Sequence, residues 1–488
     1  MKKDYYKLVF YYLSIFVMMI GCIQLLPLLV LPFYPEEISY ASCFIVPGVL
    51  AIFGGYLLRF FLKDTKIIKL EKNYDSLLLV MIWLIAILIS TVPWMLKGEY
   101  NFSQACFEMT SGYSTTGLSV VDVENTPHIF LMFRSITLFV GGVGFVLIIT
   151  SAFSDRYGLN LYNAEGHNDR LMPNLVKSAR LILFIYSAYI LFGTISYILC
   201  GMPIFDAINT SIAALSTGGF SVRNESIYAY HSLPVEIITI ILMILGQTNF
   251  VLHVKFFTRR FKNYFNHCET KFFLTLFVIF VTLMVRNLVK FGYSDNFLES
   301  LRISVFQFVT CITTTGFVSV GDMSLLPSGF ITIMILMMLI GGDQESTGGG
   351  IKQYRVIVAL KGIYYSIKES ILNPRVITTH HIYKVGEKCE LTDDEIKSTS
   401  SYILFYLILF LIGSLIFTLN GYTLQDSMFE FSSAISTVGL SVGITNYYAN
   451  NIILWTAIIG MFLGRLEIMV VFKAILRVEK DIKNKEYI

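Results

Sequence analysis

The amino-acid sequence predicts an all-α polytopic membrane protein, in which two leading spans precede four pseudo-fourfold helix–pore-helix–filter–helix repeats around a central pore. Three observations lead there. The composition is too apolar for a soluble body, the connections between apolar runs sort Lys and Arg to one face, and a Ser/Thr-Gly motif recurs four times. Of 488 residues, 55% are hydrophobic and only 15% are charged, against ~25% charged in ordinary globular chains. Mean hydropathy is +0.66. Such a chain lacks the charges to clothe about three soluble domains of ~150 residues each, so membrane lipid is its surrounding medium. A net charge of +3 is too small to imply a nucleic-acid partner. Seven cysteines lie singly, with no CxxC pair and no Cys/His spacing that suits zinc. No metal, redox or organic cofactor is therefore assigned to the chain. Met1-Lys2-Lys3 opens an apolar run too long for a signal peptide and without a small-residue cleavage site, which makes it the first span.

Crossing ~30 Å of hydrocarbon takes ~20 apolar residues. Nine runs serve: Leu8–Pro32, Ser42–Leu62, Leu77–Leu96, Ile129–Phe153, Leu181–Cys200, Leu233–Val251, Phe272–Val289, Ile403–Leu419 and Ile452–Val471. A tenth begins near Gly329, is interrupted from Gly341 to Gly350, and resumes at Ile351. Ten spans place both termini on one side, and the segments on that side hold 30 of the 37 Lys and Arg residues. Basic residues concentrate in cytoplasmic loops, so both termini are expected to be cytoplasmic, in the inner (cytoplasmic) membrane of the cell. Among the other seven, Arg134 starts a span near the outer interface, within snorkelling reach of water. Arg465 falls near the middle of the last span, where a cation must face protein or water.

Four outer connections each carry an apolar stretch of about ten residues, too short to span and suited to a re-entrant helix. They end in Ser114-Thr115-Thr116-Gly117, Ser216-Thr217-Gly218-Gly219, Thr313-Thr314-Thr315-Gly316 and Ser436-Thr437-Val438-Gly439. The second residue before the glycine is threonine each time, and the residue after it is Leu118, Phe220, Phe317 or Leu440. Nine residues before the glycine stand the polar Glu108, Thr210, Gln307 and Glu430. One such segment is simply a turn. Four, separated by 102, 97 and 123 residues, describe a duplicated unit. The chain then divides into a two-span leading region (1–74) and pore repeats at 75–172, 173–270, 271–396 and 397–488. The third repeat contains the broken inner helix and a cytoplasmic loop.

Non-helical backbone at membrane depth survives only inside protein or along a water-filled path. Four equivalent loops around an axis form a ring of carbonyls able to replace a cation's hydration shell. Glycine permits the backbone angles that aim a carbonyl inward. Short helices ending at the loops direct their negative ends at the same axis. Uncharged oxygen ligands suit a monovalent cation better than Mg²⁺ or Ca²⁺. The sixteen loop residues are thus the candidate ion-binding selectivity filter.

These loops, together with Phe133-Arg134-Ser135, Gly141-Gly142-Val143-Gly144, Gln247-Thr248-Asn249-Phe250 with His253, the Gly341–Gly350 interruption and Gly464-Arg465-Leu466-Glu467, resemble the Trk/Ktr/HKT superfamily of potassium transporters. The resemblance covers nearly the whole chain and is greatest to the Trk-type membrane subunit, which carries the extra leading pair of spans. It implies K⁺ uptake, with K⁺ the transported ion, through a pore made within one chain. It also implies a homodimer, and a cytosolic nucleotide-binding regulatory subunit of the Trk type. In this family serine at the first filter glycine goes with Na⁺ permeation. Glycine at 117, 219, 316 and 439 resembles the K⁺-selective members.

The interruption reads Gly341-Gly342-Asp343-Gln344-Glu345-Ser346-Thr347-Gly348-Gly349-Gly350. Five glycines break the helix, and the resemblance makes the segment an intramembrane gate with Arg465 as its latch. Asp343, Gln344 and Glu345 depart from the small residues usual there. Their carboxylates would concentrate cations, or one would pair with Arg465. Glu467 is a poor partner for Arg465, because residues two apart on a helix do not face each other. A phosphate-binding loop is excluded for want of a following Gly-Lys-Ser/Thr. His380-His381, in the 352–397 cytoplasmic loop, is read as surface polarity. Two rivals stand beside K⁺ uptake. One is a Na⁺-permeable or Na⁺/K⁺-coupled transporter of the same fold. The other is an intramembrane enzyme using Asp343 and Glu345, which lacks a nucleophile or metal set and leaves the repeat unexplained.

Overall fold

The structure is a computed structural model and describes residues 2–65, 73–144, 147, 175–257, 264–294, 296–372 and 379–483. Helices α1 (Lys2–Leu25) and α2 (Ala41–Phe61) form the leading pair and pack on each other. Two 3-10 turns join them, Leu26–Val30 and Pro35–Tyr40, each with proline in its first positions, where a missing N–H costs nothing. The first repeat has an outer helix α3 (Tyr74–Lys97), a pore helix α4 (Phe102–Tyr113) and an inner helix α5 (His128–Val143). The second has α6 (Leu175–Leu199), α7 (Ile204–Leu215) and α8 (Leu233–Gln247), followed by α9 (Phe250–Phe257). The third has α10 (Cys268–Lys290), α11 (Phe297–Ile312) and α12 (Ser328–Ile340), followed by α13 (Gln353–Ile371) and the hairpin β1 (His381–Lys384) and β2 (Glu387–Glu390). The fourth has α14 (Asp393–Leu419), α15 (Leu424–Ile435) and α16 (Asn451–Arg465), followed by α17 (Ile468–Lys483).

Among the described residues, six helices are long and apolar enough to cross a membrane alone: the leading pair and the four outer helices. The inner helices α5, α8, α12 and α16 have only 16, 15, 13 and 15 residues, which is about 20–24 Å of rise. Ile129–Phe153, Leu233–Val251 and Ile452–Val471 read as continuous spans in the sequence, and the structure breaks all three. The first helix stops at Gly144, whose φ is 94°; residues 145–146 and 148–153 of that expected span lie outside the described set. The second turns through 110° at Thr248-Asn249, where Asn249 Oδ1 accepts the Val251 N–H at 2.8 Å and starts the next helix. The fourth breaks at Glu467, with a left-handed φ of 59°. Hydropathy alone cannot see these breaks, because the residues on both sides are equally apolar.

A single apolar core runs from the leading pair through all four repeats, with Trp83, Trp94, Phe107, Phe130 and Phe133 among its fully buried side chains. Polar anchors set its edges. Pro127 offers no cap for α5, and Glu37 from the leading region supplies one, accepting the His128 N–H at 2.7 Å and the Ile129 N–H at 2.9 Å; its negative charge also suits the positive end of the helix. At the far end α17 packs on α3, and fully buried Asp481 accepts from Tyr74 at 2.9 Å and Tyr6 at 3.0 Å while pairing with Arg477 at 3.4 Å. Asp481→Ala leaves two tyrosines and a guanidinium without their acceptor. The expected loss is about 3 kcal/mol, read as a lower urea or thermal midpoint in detergent; an unchanged midpoint would show that this knot does not hold the C-terminal helix.

Candidate functional site

Each pore helix ends at the first residue of its loop, and the four loops then repeat one backbone pattern. The first N–H reaches the carbonyl four residues back (Ser114 to Thr110, Ser216 to Ile212, Thr313 to Val309, Ser436 to Ser432) at 2.8–3.0 Å. The second reaches three back (Thr115 to Gly112, Thr217 to Ala214, Thr314 to Cys311, Thr437 to Ala434) at 3.1–3.3 Å. The third reaches five back (Thr116 to Ser111, Gly218 to Ala213, Thr315 to Thr310, Val438 to Ser433) at 2.8–3.0 Å. Every second residue is left-handed: Thr115, Thr217, Thr314 and Thr437 have φ of 51–56°. A right-handed residue followed by a left-handed one turns successive N–H groups to one side and leaves the carbonyls on the other. A β-branched residue pays about 1–3 kcal/mol for that φ, so the surroundings must impose it four times. The sequence expectation put the special conformation on glycine alone. The structure puts it on the threonine as well.

The glycines close the ring. A β-carbon on Gly117 would lie 2.5 Å from the Gly218 carbonyl oxygen, and one on Gly219 would collide with the Thr315 carbonyl. On Gly316 it would strike the Val438 carbonyl, and on Gly439 the Thr116 carbonyl. The circuit runs first loop to second, third, fourth and back to first. All four glycines have positive φ, so both space and conformation exclude a side chain.

The four polar residues nine before each glycine stand behind the loops. Glu430 accepts from Ser441 Oγ at 2.7 Å, from the Val442 and Thr445 N–H groups at 2.9 Å each, and from the Thr445 hydroxyl. Glu108 accepts from Ser119 Oγ at 3.0 Å and the Val120 N–H at 3.2 Å, and pairs with Arg134 at 2.7 Å. Gln307 Nε2 reaches Ser319 Oγ at 3.4 Å. Arg134, expected to snorkel, is instead 2% exposed. It donates to Ser119 Oγ and the Ser221 carbonyl at 3.1 Å each and lies 3.9 Å from the Phe220 ring, bracing the first loop against the second. A buried carboxylate so near holds it there, whereas water would have to be reached across packed protein. Beyond the first loop Asp122 accepts from the Asn125 and Asn224 side chains at 2.7 and 3.2 Å, which holds its carboxyl below the usual carboxylate range and keeps that exposed surface anionic.

The glycine loop lies directly beneath. Thr347 Oγ1 meets the Leu215 and Gly246 carbonyls at 3.1 and 2.8 Å, and accepts from Thr217 Oγ1 at 3.2 Å. The Gly349 N–H donates to Thr314 Oγ1 at 2.6 Å. A β-carbon on Gly349 would collide with Thr437, and one on Gly348 would sit tightly, 3.2 Å from the Thr313 carbonyl. The loop is stitched along the break in the second inner helix: Asp343 N–H to the Gln247 carbonyl, Thr347 N–H to Gly246, Phe250 N–H to Glu345, and Asn249 Nδ2 to Gln344. The hydroxyls of Thr115 and Thr437 are buried without a hydrogen-bond partner among the described residues. Inside these contacts, Gly341 and Gly350 turn with φ of 75° and 77°, and Ser346 Oγ donates to the Asp343 carbonyl at 2.6 Å.

Two cations flank the loop. Arg465 donates to the Thr347 carbonyl at 3.0 Å and to the Gly141 and Gly142 carbonyls at 2.5 and 3.3 Å. Lys352 donates to the Gly348 carbonyl. Lys352 is not among the candidate residues of the sequence; a lysine two residues after a glycine run that interrupts an apolar stretch is the available signal. Glu467 pairs with Arg355 at 2.5 Å and not with Arg465. Asp343 lies beside His267 and Glu269 rather than Arg465, its own ligand atoms and theirs all within 4.8 Å. Within that trio His267 and Glu269 are hydrogen-bonded to each other, whereas Asp343 Oδ1 is buried without a hydrogen-bond partner among the described residues. His267 Nδ1 accepts the Val385 N–H at 3.0 Å, so its proton sits on Nε2, 2.7 Å from Glu269. A cavity of about 50 Å³, lined by Gly142, Gly348, Lys352 and Arg465 among others, lies against the loop, enough for a few waters.

Fold and site together define a membrane cation transport protein, built as a ring of four filter loops over an intramembrane glycine loop. The chain belongs to the TrkH family of cation transport proteins, whose sequence model matches residues 43–484. It is 30% identical to an uncharacterized cation transporter of Methanocaldococcus jannaschii over 93% of this chain and 92% of that one. It is 29% identical to the Trk system potassium uptake protein TrkG of Escherichia coli K12, over 93% and 94%. The crystal structure of the potassium transporter TrkH from Vibrio parahaemolyticus has the same fold, with a TM-score of 0.83 at 22% identity, covering 96% of this chain and 98% of that one.

The buried Arg134–Glu108 pair yields a quantitative expectation. Glu108→Ala and Arg134→Ala each strand a buried charge and should each lower stability by about 3–5 kcal/mol. The double variant should lose clearly less than the sum of the two. Additive losses in detergent unfolding would mean that the two side chains act separately.

Proposed function

We propose that this protein takes up potassium ions across the cytoplasmic membrane through the four-loop ring, and that the glycine loop beneath it is the gate. The observation that carries the reading is the closed circuit of Gly117, Gly219, Gly316 and Gly439 against one another's neighbouring carbonyls. With the first three N–H groups of each loop turned back to its pore helix, carbonyls of residues 114–117, 216–219, 313–316 and 436–439 are left to take the place of water around a dehydrated alkali ion. The threonine hydroxyls at 115 and 437 add uncommitted oxygens at the inner end. The pore helices aim their negative ends at the same point. Potassium as the ion is supported by the relationship to the potassium uptake protein TrkG and by glycine at all four positions.

Below the filter Gly341, Gly342, Asp343, Glu345, Ser346, Thr347, Gly348, Gly349 and Gly350 occupy the path, and Arg465 pins Thr347 to the end of the first inner helix. The positive charges of Arg465 and Lys352 repel a cation leaving the filter, so conduction needs the loop and its latch to withdraw. In this reading both termini and the 352–397 loop face the cytoplasm, the repeats divide at residues 75, 173, 271 and 397, the protein works as a homodimer, and a cytosolic nucleotide-binding subunit sets the gate.

Two measurements test it. Gly117→Ser puts an atom against the Gly218 carbonyl and strains φ, so ion-replacement flux in vesicles should show the preference for K⁺ over Na⁺ falling by about tenfold, or ~1.4 kcal/mol; undiminished preference would remove the ring from ion selection. Arg465→Ala should raise basal Rb⁺ flux by roughly tenfold, the effect of ~1.4 kcal/mol off the barrier, with selectivity kept. Unchanged flux would remove Arg465 from the gate.

A further inference from the structure

The hairpin that follows α13 is docked from below on the gate, and its tip is strained. Val385 and Gly386 form its two-residue turn with φ of 52° and 84°, the pairing that a type I′ turn requires and that asparagine or glycine usually fills. Valine is β-branched and costly there, and it is buried. Both of its main-chain groups are held by neighbouring elements. The Val385 carbonyl accepts from Lys255 Nζ at 2.8 Å, beyond the break of the second inner helix. The Val385 N–H donates to Nδ1 of fully buried His267 at 3.0 Å.

From His267 the connection continues inward. Its Nε2 proton goes to Glu269 Oε2 at 2.7 Å. The other oxygen of Glu269 accepts the Gln344 N–H of the glycine loop at 2.7 Å and the Tyr354 N–H of α13 at 3.0 Å. Glu269 is 1% exposed, and these three donors are its hydrogen-bond partners among the described residues. Around the tip, Lys384 reaches Glu345 of the same loop at 4.0 Å, and Ile382 and Leu391 close a small apolar cluster with Tyr354, Ile357 and Val358.

We propose that His267 and Glu269 are positioning residues of the gate, forming with the Val385 turn a relay by which displacement of the cytosolic hairpin frees the glycine loop at Gln344. The proposal rests on the reading of that loop as the gate. It gives the 352–397 segment a mechanical role: whatever moves the hairpin acts on the pore through four groups in series, Val385 N–H, imidazole, carboxylate and Gln344 N–H. A strained turn held by its own backbone contacts springs away once one of them is lost. The glycine loop then keeps its bonds to the second inner helix but loses its cytosolic anchor.

Two variants cut the relay outside the gate itself. His267→Gln keeps an amide donor near the Nε2 position for Glu269 and removes the Nδ1 acceptor that faces the Val385 N–H. Lys255→Met loses the carbonyl clamp and leaves the His267–Glu269 bond in place, and it serves alone should His267→Gln fail to fold. In the full-length chain in lipid vesicles, each should raise basal Rb⁺ flux at least threefold with an unchanged K⁺-to-Na⁺ ratio, and the pair together should do no more than the stronger single change. Hydrogen–deuterium exchange of the same proteins should show the 341–352 amides exchanging at least threefold faster together with those of 381–390. Faster exchange confined to 381–390, or additive flux changes with altered selectivity, would overturn the relay. Absence of Rb⁺ flux from the unaltered protein would overturn the transport reading, while the exchange comparison still decides the coupling.

Discussion

The commitment of main-chain N–H groups governs this molecule. At membrane depth a polar backbone group must find a partner within the protein, and each filter loop satisfies its N–H groups by folding them back onto the last turn of its own pore helix. That single choice forces the following threonine into the left-handed region and turns the carbonyls to the other side. Four loops with carbonyls on one side can be buried only if those carbonyls meet around a shared hydrophilic axis. The crowding of each glycine against the next loop's carbonyl is the outcome, and the buried Glu108, Arg134 and Glu430 behind the loops hold it in place.

The inner helices follow from the same constraint. Each stops after 13–16 residues, too short to cross alone, and the carbonyls freed at each break need donors. The third inner helix supplies them by unwinding into the glycine loop, whose N–H groups and hydroxyls bond to the second inner helix and the filter threonines. Arg465, at the end of the fourth, supplies them for the first. What looks like four separate defects is one hydrogen-bonded layer beneath the filter. A layer satisfied in this manner keeps its polar groups paired within the protein at a depth where lipid offers none.

Much of this was legible in the residues. Composition and the sorting of Lys and Arg established a multi-pass membrane chain, and the Thr-x-Gly repeat placed all four loops and the glycine interruption. Arg465 could be recognised as needing an internal partner, since no cation sits unpaired in hydrocarbon, and Glu467 could be excluded as that partner from helical geometry. The three further helix breaks were not legible, because Gly141–Gly144, Thr248-Asn249 and Leu466-Glu467 interrupt runs that stay apolar on both sides. Arg134 was misplaced for a related reason: its position near a span end fits both a snorkelling and a buried paired side chain, and only the approach of Glu108 from another helix separates them.

The sequence by itself determined what kind of medium the chain inhabits, how many times its unit is repeated and where the four Thr-x-Gly loops and the glycine interruption fall, because these depend on local polarity and on periodicity along one chain. Tertiary structure decided who meets whom: that Lys352 joins Arg465 under the filter, that Asp343 comes to lie beside His267 and Glu269, and that a hairpin more than thirty residues beyond the glycine loop touches it through His267. Those pairings join residues far apart in the chain, and a buried charge or N–H is satisfied by whatever the packing brings near, which no spacing rule encodes.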